Sequence, residues 1–202
     1  LPPKLRDAWL YGRWDIFEGQ FFPEFDVVRH VVGEDEVPYG LRYFLAFDYG
    51  FDMLAALLVG VSGECVYILR EICVPNLTLG EAAARVVGEF GKFRPEYAVA
   101  SPDLWNRRQD SGRSGFEIMQ GVAGMPPMIA ADDRRVAGWR VVREYLTPAE
   151  GGVGLRICRG CGELIHSMSS LLFDRVRAED AASEPHAITH APEALRYALM
   201  SR

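Results

Sequence analysis

Three acidic residues, Asp48, Asp103 and Glu193, stand at positions from which carboxylates could hold a metal ion. Asp48 closes the run Arg42-Tyr-Phe-Leu-Ala-Phe-Asp-Tyr-Gly50, which is almost wholly apolar. Such a run reads as a buried strand, and an ionised carboxylate at its tip is costly unless something pairs with it. Nothing cationic lies close by in sequence, and Gly50 lets the backbone turn away sharply. Asp103 follows Ser101-Pro102 after the short apolar stretch Tyr97–Ala100, and Glu193 stands behind His190-Ala-Pro at the start of the last helical stretch. Clustered carboxylates raise one another's pKa unless a cation sits among them. Mg²⁺ or Mn²⁺ is the natural cation, because hard ions prefer oxygen ligands and retain waters. Two such ions about 3.5–4 Å apart activate a water and stabilise the leaving oxygen in phosphodiester cleavage. Each residue alone has a plainer reading, as a turn aspartate or a helix-start charge favoured by the dipole.

The elements needed to bring the three together can be read from the pattern. Arg42–Asp48, Leu54–Val61 and Cys65–Cys73 are apolar segments at hairpin spacing, with Ser62-Gly63-Glu64 as a tight turn. Thr78 opens a helix through the capping box Thr78-Leu-Gly-Glu81, and Ala82, Val86, Val87 and Phe90 mark one face. Strands at Tyr97–Ala100, Met128–Ala130 and Leu155–Cys158 then alternate with helices at Ser114–Gln120, from Asp132 or Asp133 to Leu146, and at Glu163–Leu172. Ala191–Met200 is the final amphipathic helix. This is an α/β pattern, a mixed sheet flanked by helices, in the order βββαβαβα used by ribonuclease H-like nucleases. In such a sheet the first strand and the parallel strand after the crossover helix are expected neighbours. Their C-terminal ends would bring Asp48 and Asp103 to one edge, and a helix docked over it would add Glu193. Residues 1–39 are aromatic-rich without steady periodicity. They read as a short helix at 3–11 followed by an extended segment on the domain surface, with an exposed turn at Gly33–Pro38.

Composition sets limits. The 202 residues suit one domain with a substantial core. The net charge of −6 argues against strong free-standing binding to nucleic acid. An acidic domain still cuts DNA if its carboxylates hold metal and another domain grips the substrate. Apolar stretches are broken by Asp48, Asp52 and Gly60 before reaching membrane-spanning length. No secretory leader opens the chain, and a start at Leu1 rather than Met suggests a piece of a longer protein. Cys65, Cys73, Cys158 and Cys161 suit a reduced compartment. Cys158-Arg-Gly-Cys161 with His186 and His190 spells a zinc set on paper, although Cys161 also falls at an inward core position. Arg107, Arg108 and Arg113 lie in the polar loop after Asp103, where they could grip a phosphate backbone. Asp52 reads as a hairpin-loop residue, Glu71 as an outward, solvated strand residue, and Arg196 as a structural ion-pair partner.

Several stretches in order resemble the C-terminal nuclease domain of the large terminase subunit of tailed bacteriophages and prophages. They are Leu10-Tyr-Gly-Arg-Trp14 with Gly19-Gln-Phe-Phe22, Phe47-Asp-Tyr-Gly50, and Ala100-Ser-Pro-Asp-Leu-Trp105. Asp133-Arg-Arg-Val-Ala-Gly-Trp139 with Val142-Arg-Glu-Tyr-Leu146 follows, then Thr189-His-Ala-Pro-Glu-Ala-Leu-Arg-Tyr197. The resemblance implies a ribonuclease H-like endonuclease that cuts concatemeric viral DNA during packaging, with one or two Mg²⁺ or Mn²⁺ ions. Asp48 and Asp103 match its first and second metal ligands. Glu193 takes the third acidic position, where many members carry Asp, and His190 matches a histidine near the metal in some members. Double-stranded DNA, the small terminase subunit and the portal protein are the implied partners, and the host cytoplasm the implied place. No phosphate-loop motif G-x-x-x-x-G-K-[ST] occurs, so residues 1–39 are expected to be a connector after an absent ATPase domain, with the nuclease domain at 40–202. A Holliday-junction resolvase-like nuclease of the same fold and a non-catalytic assembly module of the packaging motor are the competing expectations.

Overall fold

The computed structural model describes residues 19–109, 112–148 and 154–202. The helix expected at 3–11 and the Leu10–Trp14 stretch lie outside them. Strands β1 (Val31–Val32), β2 (Arg42–Tyr49), β3 (Leu54–Ser62), β4 (Cys65–Val74), β5 (Ala98–Ala100), β6 (Met128–Ala130) and β7 (Leu155–Cys158) form one sheet in the order β1-β7-β4-β3-β2-β5-β6. Helices are α1 (Val27–His30), α2 (Leu79–Phe90), α3 (Gly115–Gln120), α4 (Arg135–Leu146), α5 (Gly162–Ser170) and α6 (His190–Met200).

The antiparallel meander β2-β3-β4 is the centre of the sheet. β3 reads Leu54-Ala-Ala-Leu-Leu-Val-Gly-Val61 without a charge and is buried on both faces, as a strand covered by two helical layers must be. The crossover through α2 returns the chain parallel to β2, so that Leu45, Ala46 and Phe47 pair with Ala98, Val99 and Ala100. Alternation along β2 sends Phe44 and Ala46 into the core shared with α4, α5 and α6, and Leu45 and Phe47 into the core shared with α2 and α3. By the same alternation Asp48 falls on the α6 side.

Two expectations need correction. Residues 19–32 do not merely lie on the surface: Phe21, Phe22, Phe25, His30 and Val32 are buried, and β1 adds a parallel edge strand beside β7. Both rings of the Phe21-Phe22 pair meet Trp139 edge-on, with centroids 5.6 and 5.7 Å away. Glu71 is not solvated. Its carboxylate leaves β4 to accept the backbone N–H of Glu163 (2.7 Å) and Leu164 (2.9 Å), satisfying donors that α5 leaves open at its first turn.

Burial pushes the Glu71 carboxyl up, the two amide bonds pull it back, and the net shift is upward. The folded state therefore holds this proton more tightly than the unfolded chain. Its contribution to stability is full below the ordinary glutamate range and is lost as pH rises through the raised value. Glu71→Gln should flatten that part of the profile in urea denaturation between about pH 4 and pH 7, and an unchanged slope would rule out the linkage.

Candidate functional site

Asp48 and Asp103 leave the same end of adjacent parallel strands. The last paired residues are Phe47 and Ala100, so Asp48 is the next residue on β2 and Asp103 lies three past the end of β5. Pro102 starts a 3₁₀ turn, Pro102–Trp105, that carries Asp103 out of the sheet. Asp103 is exposed, and Asn106 Nδ2 donates to its Oδ1 at 3.4 Å. Asp48 is half-buried beneath the first turn of α6, where His190 Nδ1 lies 2.8 Å from its Oδ2. The hairpin Gly50–Met53, closed by reciprocal backbone bonds of 2.9 and 3.2 Å, brings Asp52 Oδ2 to 3.2 Å from His190 Nε2. A Cβ on Gly50 would displace the Asp52 carboxylate and stand 3.4 Å from His190 Cε1.

This imidazole is held above its ordinary pKa, first by the hydrogen bond to Asp48, with burial opposing and Asp52 adding. Burial raises the Asp52 carboxyl, but the hydrogen bond and charge of His190 outweigh it, and the net shift is downward. Tyr197, one helical level further along α6, ties the region together. Burial pushes its phenol up to about 12, the charges of Asp48 and Glu193 add to the push, and a hydrogen bond with Ser101 opposes it.

Glu193 stands on the first turn of α6 with both oxygens engaged, and among the described residues Asp48, Asp103 and Glu193 do not gather into one set of potential metal ligands. Arg135 Nε donates to Oε1 at 2.6 Å and Arg196 Nε to Oε2 at 2.7 Å. Arg135 also donates to Asp180 Oδ2 at 3.0 Å, and Trp139 Nε1 donates to Asp180 Oδ1 at 2.9 Å. Arg196 is buried, and its Nη1 bonds the Asp132 carbonyl. α4 and α6 approach closely enough that a Cβ on Gly138 would stand 2.6 Å from Arg196 Cγ. The Gly138-Trp139 pair of the sequence motif thus serves this contact.

Arg107, Arg108 and Arg113 are exposed on a loop folded back on itself, with Arg107 bridged to Ser114 and Arg108 N–H donating to Arg113 O at 3.1 Å. Four residues from Asp103, Arg107 is within about 14 Å of it along the chain. The charges of Arg107 and Arg113 fall on Glu117, which caps α3, and that of Arg108 on Tyr49.

The paper zinc set does not assemble. Cys158 and Cys161 are buried at the β7–α5 junction, and Cys161 Sγ donates to Ile68 O at 3.7 Å. Burial pushes Cys158 up to about 11 and Cys161 well above its ordinary value, so both are held as thiols. His186 and His190 gather instead with Asp52, the group of potential ligands found among the described residues. Asp180, Arg135, Ser101 and Tyr197 had no role in the sequence reading. The turn Phe47-Asp-Tyr-Gly-Phe-Asp52 did hold a signal, a second carboxylate just past a tight glycine turn.

No protein-family model and no curated protein matches the chain. Solved structures do. The large terminase from a thermophilic bacteriophage superposes with a TM-score of 0.71 at 21% identity, over 94% of this chain and 47% of that one. The phage P22 large terminase nuclease domain gives 0.70 at 14% identity, over 93% and 94%. The g2p (large terminase) nuclease domain from bacteriophage SPP1, with bound Mn, gives 0.62 at 14%, over 84% and 93%. The chain spans about half the length of the first protein and nearly all of the P22 domain. At these identities the likeness is one of fold: this is the ribonuclease H-like architecture of large-terminase nuclease domains.

Proposed function

We propose that this chain is a metal-dependent DNA endonuclease that cuts concatemeric viral DNA during genome packaging, with Asp48 and Asp103 as its principal metal ligands. The observation that carries the reading is the placement of both carboxylates at one end of adjacent parallel strands, on a fold shared with terminase nucleases, one of them solved with Mn. The donor chemistry fits a hard divalent ion. Asp48 and Asp103 offer only oxygens, and Asp103 is exposed with one long contact to Asn106. Mg²⁺ or Mn²⁺ bound there supplies an activated water and charge stabilisation for the leaving oxygen.

The chain's own residues do the rest. His190 Nδ1 holds Asp48 Oδ2 and so fixes the carboxylate's orientation, leaving Oδ1 for a ligand. Arg107, Arg108 and Arg113 contact the phosphate backbone beside the cut, which supplies positioning rather than sequence readout. Glu193 is the third acidic group of the site, and each of its oxygens accepts one arginine bond and keeps a lone pair that could face a metal.

Residues 1–39 would lead in from a preceding ATPase domain, with Phe21, Phe22, Phe25 and Val32 of that stretch built into the nuclease core. In the packaging motor the small terminase subunit, the portal protein and double-stranded DNA are the partners, in the host cytoplasm. The purified chain should nick or linearise supercoiled plasmid with Mn²⁺ or Mg²⁺ and not with chelator. It should cut linear duplex at least as well as a four-way junction. A strong junction preference would transfer the chain to the resolvase class, and no cleavage with either ion would end the nuclease reading.

A further inference from the structure

His190 has a second side. While Nδ1 faces Asp48, Nε2 faces Asp52 Oδ2 at 3.2 Å. His186 enters from the single 3₁₀ turn His186–Ile188, with its ring centroid 6.2 Å from that of His190. One potential ligand atom from each of Asp52, His186 and His190 lies within 4.8 Å of the other two. We propose that Asp52, His186 and His190 form a separate site for a borderline transition-metal ion such as Zn²⁺ or Co²⁺, at the lip of the carboxylate site. The inference does not depend on whether Asp48 and Asp103 hold a hard ion.

Donor type separates the two sites. Two imidazole nitrogens with one carboxylate suit zinc, cobalt or nickel, whereas magnesium prefers an all-oxygen set. Asp48 completes the arrangement from outside. By accepting from Nδ1–H it keeps the proton on that nitrogen, so that Nε2 can give up the proton it shares with Asp52 and bind a metal instead, the carboxylate–histidine pairing that accompanies ligating histidines. Spacing agrees as well. Ligand atoms around a four-coordinate zinc with bonds of 2.0–2.1 Å stand roughly 3.3 Å apart, and the His190–Asp52 pair is already at 3.2 Å. His186 has to close the remaining gap. Its side chain is 61% exposed and that of Asp52 is 60% exposed, so both can rotate without disturbing the core. Glu184 Oε1, 3.1 Å from His186 Nε2, is a further carboxylate beside that ring. Gly50 leaves the floor of the site open where a Cβ would strike Asp52.

The test is a cobalt(II) titration of the metal-free 202-residue chain, followed by visible absorption. With excess Mg²⁺ present to occupy the carboxylate site, wild type should bind one cobalt ion with the intense bands of four-coordinate cobalt. His186→Ala and Asp52→Asn should each weaken binding at least about tenfold, while Asp103→Asn binds as wild type. The altered side chains are exposed, and circular dichroism verifies that the folds are retained. The proposal fails if cobalt does not bind or shows the weak bands of six-coordinate, all-oxygen ligation. It fails equally if Asp103→Asn abolishes binding and His186→Ala preserves it, since the ion then sits in the carboxylate site. Plasmid cleavage by Asp103→Asn is a separate readout, so this site and the nuclease reading can fail independently.

Discussion

Asp48→Asn is expected to lower metal-dependent DNA cleavage by more than about 100-fold while the protein stays folded. Outer partners of metal ligands already cost about 10–100-fold when removed, and a direct ligand should cost more. Asparagine keeps the size of the side chain and an oxygen that can accept from His190 Nδ1, so the 2.8 Å contact survives in altered form. What disappears is the negative charge that would hold the ion. Asp103→Asn should produce a loss of the same order from the neighbouring strand. Because Asp103 is exposed and bonded only to Asn106 among the contacts described above, its stability should stay within about 0.5 kcal/mol of wild type. Initial rates of plasmid nicking across a Mn²⁺ series, beside urea denaturation of the metal-free proteins, separate the two quantities. Wild-type rates for both variants would remove Asp48 and Asp103 from the site. His190→Ala should fall between, near the 10–100-fold range, because it orients Asp48 without replacing it.

What the sequence disclosed follows from how local each signal is. β2, β3 and β4 are legible to within a residue at their ends because long apolar runs bounded by turn residues have few other readings. The pairing of β2 with β5 follows from the crossover rule, and with it the shared edge of Asp48 and Asp103. Where a side chain answers to a distant partner, local pattern says little. Helix α4 starts at Arg135, later than the expected Asp132 or Asp133, because Asp132 accepts from Arg134 N–H, Nε and Nη2 instead of capping the helix. Phe21 and Phe22 have no periodic neighbours to show that they are core. Their partner is Trp139, more than a hundred residues on, with the Arg143 guanidinium 4.8 Å from the Phe21 centroid. Asp180 sits in a stretch of ordinary polar composition, and its bonds reach back to Arg135 and Trp139 on α4. The same holds for Glu71, whose two bonds go to the start of α5. Asp52 does lie in the hairpin loop that the sequence predicts, and its contact with His190 is not legible locally because only α6 brings that ring against it.

Glu193→Ala should destabilise the metal-free protein by about 3 kcal/mol, a value at the low end for breaking a buried ion pair. For a chain of this size that corresponds to a fall in Tm of about 6–12 °C. The reason lies in what remains behind. Arg196 has a side chain only 2% exposed, and it would keep the Asp132 carbonyl and the Met200 sulfur but lose its carboxylate. Arg135 would retain Asp180 and lose the shorter of its two ion pairs, 2.6 Å against 3.0 Å. Glu193→Gln leaves a carbonyl oxygen for one arginine and should cost less, though the other guanidinium then faces an amide donor. If Glu193 served only as a metal ligand, removing it would relieve repulsion among carboxylates, and the metal-free protein would become no less stable. The two arginines predict the opposite sign in chelator. Urea denaturation with EDTA reads that sign directly, and a wild-type midpoint for Glu193→Ala would show that the clamp contributes nothing. With Mn²⁺ present, any cleavage loss beyond that explained by unfolded protein measures the ligand role, so one substitution distinguishes a carboxylate that supports α4 against α6 from one that also holds the ion.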